Sequence, residues 1–166
     1  MKNNSSNMNG YRCYACATVQ AADYDGFLCP ACGGNLEVCY DWSAVRAEIA
    51  NGFGGGPQDL FRYQALLPTA PRETPFPLRI GGTPLYEASR LGEQAGLRQL
   101  FLKDDSHNPS ASLKDRASAV TLCRAMETGA DVVSVASTGN AGSSLACLSA
   151  ALGMKAVVFV PASAPA

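Results

Sequence analysis

With 166 residues, 47% of them hydrophobic and 16% charged, the chain can hold one ordinary domain plus a small appendage. A formal net charge of -1 supplies no basic footprint for a polyanion, so no nucleic-acid partner is expected. No apolar run reaches the ~20 residues of a membrane span, and the polar start MKNNSSNMNG lacks a secretory core, so the expected compartment is cytoplasmic, with no membrane partner.

Residues 9–42 read as short strands around two turns, Cys13-x-x-Cys16 and Cys29-x-x-Cys32. Two such pairs with twelve residues between them have the spacing with which four thiolates close on one tetrahedral zinc. Pro30 and Gly33 supply turn residues for the second pair. Disulfides are disfavoured in a reducing compartment, and the doubled spacing disfavours unrelated cysteines. The metal would replace the core that so small a module lacks, and the spacing leaves iron open beside zinc. Cys39, Cys123 and Cys147 lie among apolar neighbours and read as small core residues.

The stretch SAVRAEIANG predicts a helix with Ser43 as N-cap and Gly52 as stop, followed by a linker at GFGGGPQ. Pro68, Pro71, Pro75 and Pro77 predict extended or coiled chain to residue 80, with one helical turn near residues 60–66. Three parts are therefore expected: a zinc-ribbon-like module at 1–42, a helix and Pro/Gly-rich linker at 43–80, and an α/β portion at 81–166.

In that last part RQLFLKDD predicts a strand at 98–103, then a loop at 104–111 and a helix at 112–128. Leu113, Ala117, Val120, Cys123 and Met126 recur at three- or four-residue steps and predict its buried face, with Gly129 as its end. DVVSVA and KAVVFV read as buried strands on either side of a helix in SLACLSAALG that Gly153 closes. Alternating strands and helices imply an α/β architecture with parallel pairing and right-handed crossovers.

NPSASLKDR, residues 108–116, sets Lys114 at a helix start, where the dipole disfavours a cation by a few tenths of a kcal/mol. Either Asp115 cancels the charge while the ammonium reaches water, or the amine serves as a nucleophile that forms a Schiff base. Residues 137–143 form a small-residue turn at a strand end, where helix amides can hold a carboxylate or phosphate. Gly139 and Gly142 would admit a ligand to the backbone, and Ser137, Thr138, Asn140, Ser143 and Ser144 could add side-chain donors. An ordinary capped turn selects the same residues. An imine-forming lysine and an anion nest near the strand ends of one sheet describe a pyridoxal phosphate site for amino acids.

NPSASLKDR followed by ASTGNAGSSLA resembles the lysine and substrate-loop motifs of the fold-type II pyridoxal phosphate enzymes, whose fold is tryptophan synthase β-like. With GGTPLYEASRLGE and the cysteine ribbon, the closest resemblance is to the threonine synthase family with a zinc-ribbon extension. The resemblance implies pyridoxal 5'-phosphate and structural zinc at Cys13, Cys16, Cys29 and Cys32. It implies Lys114 as the Schiff-base lysine that also moves protons on the substrate, and Asn140 at the phenolic oxygen of the cofactor ring. It implies Ser137, Thr138, Gly139, Asn140 and Ala141 at the substrate carboxylate. The reaction implied is O-phospho-L-homoserine and water to L-threonine and phosphate. Arg116 reads as a solvent-facing helix arginine or a residue shaping the site, and Lys103 and Asp104 as candidates for lining it. His107 reads as a solvated loop histidine.

Ala111 and Leu113 depart from the Gly and Phe more usual in such motifs, and a glycine there would ease a positive φ. The family's enzymes are much longer, so the expectation is an N-terminal portion, inactive alone and without a cofactor-phosphate loop, with a homodimer one option at full length. The alternatives are another fold-type II lyase or synthase, such as cysteate synthase, cysteine synthase or a threonine dehydratase-like enzyme, or a non-catalytic zinc-ribbon binding module.

Overall fold

The computed structural model describes residues 6–53, 58–72 and 76–164; linker residues 54–57, Pro75 and residues 1–5 of the polar start lie outside the described residues. The chain forms two compact units.

In the first unit, β1 (Met8–Cys13) is the centre of an antiparallel sheet, between β2 (Val19–Gln20) and β3 (Leu36–Tyr40). Its register pairs Cys13 with Leu36 and Arg12 with Val19. The two CxxC turns are built alike. Ala17 N–H donates to Cys13 O at 3.0 Å and Gly33 N–H to Cys29 O at 2.8 Å, and both closing residues have positive φ, 59° and 71°.

Helix α1 (Trp42–Glu48) is capped two residues earlier than expected: Asp41, not Ser43, is its N-cap, accepting from Ser43 N–H at 2.9 Å and Ala44 N–H at 3.1 Å. A carboxylate at the N-cap reaches the amides two and three residues on directly. The expected helical turn forms as 3-10 turns over Leu60–Leu66, kinked at Tyr63. Residues 43–53 and 61–72 fold with the ribbon instead of standing apart as a linker. Asn7 Nδ2 donates to Glu48 Oε2 at 2.8 Å and to Ala65 O at 3.2 Å, and Tyr40 Oη donates to Leu66 O at 2.8 Å. These bonds, with Val45 and Ala65 buried, draw the segment in.

In the second unit, β4 (Leu85–Glu87) and β5 (Phe101–Lys103) form an antiparallel pair linked through α2 (Ser89–Gln94). Helix α3 (Lys114–Thr128) leads to β6 (Val132–Ala136), which α4 (Asn140–Leu152) joins to the parallel β7 (Lys155–Phe159). The expected parallel pairing thus holds for β6 and β7. It does not extend to β5, which among the described residues pairs only with β4, because the short α2 connection folds the chain back as a hairpin. Gly129 and Gly153 end α3 and α4 in left-handed conformation, with φ of 75° and 69°, as expected. Each helix end closes with a bond back across the last turn, Ala130 N–H to Ala125 O and Met154 N–H to Ser149 O, both 2.9 Å.

Two burial expectations are corrected. The buried face of α3 is Asp115, Ser118, Ala119, Leu122 and Cys123, while Leu113 and Met126 are 60% and 43% exposed. Small residues on either side of Leu122 let α3 approach α4 closely, while Leu113 precedes the helix and Met126 lies in its last turn, beyond the buried stretch. The strands β6 and β7 are not buried throughout either: Val133 is, but Val132, Val157 and Phe159 are exposed, since α4 lies against this two-stranded sheet and the described residues leave much of the strand surface open.

Candidate functional site

The buried residues of α3 and α4 match in register. Ser144 Oγ donates to Ser118 Oγ at 2.8 Å, a sequence separation of 26, and the same offset relates Ala119 to Leu145, Leu122 to Leu148 and Cys123 to Ser149. Two helices that flank β6 in sequence and share such an offset run side by side in one direction. Lys114 and Asn140 stand one turn before Ser118 and Ser144, so the two helix N-termini lie at one end of the pair. Topology, more than the single sheet expected, brings the lysine and the small-residue turn to the same end.

Lys114 is exposed, and its ammonium has no hydrogen bond or ion pair among the described residues. The reading in which Asp115 cancels its charge is not what the structure holds. Asp115 is fully buried and turned back onto the preceding loop, where Ser110 N–H donates to Oδ2 at 2.7 Å and Ser110 Oγ to Oδ1 at 2.5 Å. Ser112 Oγ accepts from Lys114 N–H at 3.1 Å. Ala111 closes the loop with a positive φ of 56°, the position where glycine is the easier residue.

Arg116 is not a solvent-facing helix residue. Its Nε and Nη2 each lie 2.8 Å from an oxygen of Asp105, forming a two-pronged pair. Thr83 Oγ1 donates to Asp105 Oδ1 at 2.7 Å. The Arg116 guanidinium and this hydroxyl hold the Asp105 carboxyl well below its ordinary pKa. Buried Asn108 accepts from Gly81 N–H at 2.8 Å and donates to Asp105 O at 3.0 Å. Nothing in the sequence pointed to Asp105, Thr83 or Asn108, since loop-to-helix pairs follow no period.

Of the other candidates, Lys103 Nζ donates to Thr83 O at 2.5 Å. Asp104 accepts from Ser106 Oγ at 2.6 Å, which lowers its pKa, and faces His107 Nδ1 at 3.2 Å. His107 is exposed, as expected.

At the other helix start, Ser137 Oγ accepts from Gly139 N–H at 3.2 Å, Thr138, Gly139 and Asn140 are exposed, and Ala141 is half-buried. The first two amides of α4, those of Asn140 and Ala141, have no intrahelical carbonyl to meet, which leaves them to a ligand or solvent, while the next two donate to Gly139 O. Space around Gly139 is open. Gly142 and Ser144 serve packing instead: a Cβ on Gly142 would stand 3.0 Å from Val158 Cγ1, and Ser144 is buried against Ser118.

In the first unit the four sulfurs of Cys13, Cys16, Cys29 and Cys32 lie within 4.8 Å of one another. Three sulfur pairs are 3.4, 3.5 and 3.6 Å apart. Four sulfurs at the usual Zn–S length of about 2.3 Å would be about 3.8 Å apart, so the cluster has the size of a tetrahedral metal site. The Thr18 hydroxyl, 3.1 Å from Cys16 Sγ, lowers that thiol's pKa to about 6, while the Cys16 and Cys13 sulfurs push Cys32 up to about 12, so the cluster shares its protons unevenly. No helix among the described residues is long and apolar enough to cross a membrane.

Comparison with known proteins places these features in a family. The threonine synthase of Methanosarcina acetivorans is 35% identical over 151 residues, 91% of this chain and 36% of the relative. That of Methanocaldococcus jannaschii is 36% identical over 151 residues, 90% of this chain and 37% of the relative. That of Mycobacterium leprae is 39% identical over 99 residues, 60% of this chain and 27% of the relative. The chain therefore spans just over a third of the two archaeal relatives' length, at 36% and 37%. The family described as pyridoxal-phosphate dependent enzyme matches residues 77–166, which contain both helix starts. With more than half of its length matched, the chain belongs to the pyridoxal-phosphate dependent enzyme family.

Proposed function

We propose that this chain supplies the lysine-bearing portion of a threonine synthase, which converts O-phospho-L-homoserine and water to L-threonine and phosphate. The observation that carries the reading is the pairing of an exposed, unpartnered Lys114 with the open start of α4 at one end of two packed helices. Similarity to threonine synthases over 151 residues supports the reaction class.

The residues fit pyridoxal phosphate in kind: an accessible amine to attach it, and amides with an open approach at Gly139. When bound, the cofactor supplies an electron sink that makes bonds to the substrate Cα labile. Lys114 then holds and returns protons at the substrate carbons. The Thr138, Asn140 and Ala141 amides and the Ser137 and Thr138 hydroxyls, on a turn left open by Gly139, fix the substrate carboxylate, which sets the bond presented for reaction. The Asn140 side chain holds the phenolic oxygen of the cofactor ring. In the other unit, Cys13, Cys16, Cys29 and Cys32 hold one structural zinc that stands in for a core. The compartment is cytoplasmic and the chemical partner is the phosphorylated amino acid.

The test is a chimera in which this chain replaces the matched segment of the Methanocaldococcus jannaschii relative. Phosphate release from O-phospho-L-homoserine is expected, abolished by Lys114→Ala. A chimera that binds the cofactor but instead deaminates threonine, or uses an acetylated serine, would assign the chain to another lyase or synthase of the family.

A further inference from the structure

We propose that Arg116 and Asp105 form a positioning pair for Lys114, clamping the loop before the lysine to the helix turn after it. The proposal rests on Lys114 being the residue that attaches the cofactor. Lys114 begins α3 with only Ser112 Oγ on its own N–H, at the end of a loop that turns through Ala111 at positive φ. Such a junction has no regular hydrogen-bond ladder to hold it. Two grips do so from the residues just past the lysine. Asp115 reaches back to Ser110, and Arg116 reaches further back to Asp105. Lys114 is the last residue before both grips.

The Arg116 grip has the geometry of a fixed device. A guanidinium with two donors on two oxygens of one carboxylate sets orientation as well as distance, which a lysine ammonium does not. Thr83 orients Asp105 from a third side, and Asn108 ties the same loop to Gly81. Gly81 also gives the arginine room: at its φ of 79°, a Cβ would stand 2.8 Å from Arg116 Nη1. Arg124 and Glu127 form another ion pair of α3, at 2.7 Å between residues three apart in the helix. It is the natural control for a change in helix stability alone.

The test uses the 166-residue chain with pyridoxal phosphate. The aldehyde condenses with a lysine amine, losing water, and borohydride reduces the C=N bond to a stable amine that peptide mass spectrometry locates. The chain has four lysines, and Lys2 and Lys155 serve as internal references. The expected result is preferential labelling of Lys114 in the wild type. A misplacement of about 1 Å costs on the order of 100-fold in reaction rate, so Arg116→Gln and Arg116→Lys are expected to cut the preference by about 10- to 100-fold. Asp105→Asn is expected to do the same, the double variant Arg116→Gln/Asp105→Asn no more than either, and Arg124→Gln nothing. All are compared well below their thermal transitions. Should Arg116→Gln fail to fold, Thr83→Val removes one donor from Asp105, and a smaller loss of the same sign is expected. Folded variants that keep the wild-type preference would overturn the positioning pair while leaving Lys114 as the attachment site. A wild type with no preference for Lys114 would overturn both.

Discussion

Ala111→Gly should stabilise the chain, although a glycine in a loop ordinarily does the reverse. Ala111 sits at φ 56°, donating its N–H to Asn108 O at 2.8 Å, so its conformation is fixed by the turn. An L-residue in the left-handed region costs about 1–2 kcal/mol. Glycine removes that cost but gives the unfolded chain more freedom, worth about 0.5–1 kcal/mol. The Ala111 side chain is exposed, so its loss gives up little packing. The difference is a gain of up to about 1.5 kcal/mol, centred near about 0.75 kcal/mol, or roughly 2–3 °C in Tm at the centre for a chain of this size. Thermal and urea unfolding of Ala111→Gly are to be compared with Ala117→Gly, at an exposed position inside α3. There no strain is relieved, and a loss of about 1 kcal/mol is expected. If Ala111→Gly destabilised as Ala117→Gly does, the strain reasoning would be refuted.

Other outcomes follow from the same geometry. Ser144→Ala strands the buried Ser118 hydroxyl and is expected to cost about 1–3 kcal/mol, while Ser118→Ala/Ser144→Ala recovers most of it; a double variant as unstable as the sum of the singles would contradict the pairing. Asp105, with its pKa held below the unfolded value of about 3.9, contributes stability that is fully present above that value and lost as pH falls through its folded pKa. The stability gap between wild type and Asp105→Asn should then be constant above about pH 5 and shrink toward pH 3; a gap that widens on acidification would be inconsistent with this. One zinc per chain is expected by elemental analysis. Chelation or Cys29→Ser should loosen β1 and β3 in hydrogen exchange while leaving α3 and α4 protected, and unchanged exchange would argue against a metal-held sheet.

What could be read from the sequence was what is local. The paired CxxC spacing anticipated four sulfurs in one cluster, and Gly129 and Gly153 anticipated two left-handed helix ends, because each depends on a few adjacent residues. Ala111 was legible as a departure, and its positive φ is the reason a glycine is easier there. The loop-to-helix pair of Asp105 and Arg116 was not, since eleven residues separate them through a loop with no repeat. The face of α3 was misread because apolar periodicity favoured Leu113 and Met126. The buried face combines Leu122 and Cys123 with Ala119 and the polar Asp115 and Ser118, and a hydrophobic count passes over the polar pair. Gly142 was legible as a need for close approach but not as an approach to Val158.

The proposed function requires Lys114 and residues 137–141 to form the two sides of one pyridoxal phosphate site. Titrating the isotopically labelled chain with pyridoxal phosphate while following backbone amide resonances tests it most directly. Residues 112–116 and 137–141 are expected to shift together along one binding curve, with Lys114→Ala weakening both sets. Shifts confined to one helix start, or two sets with different curves, would contradict a shared site.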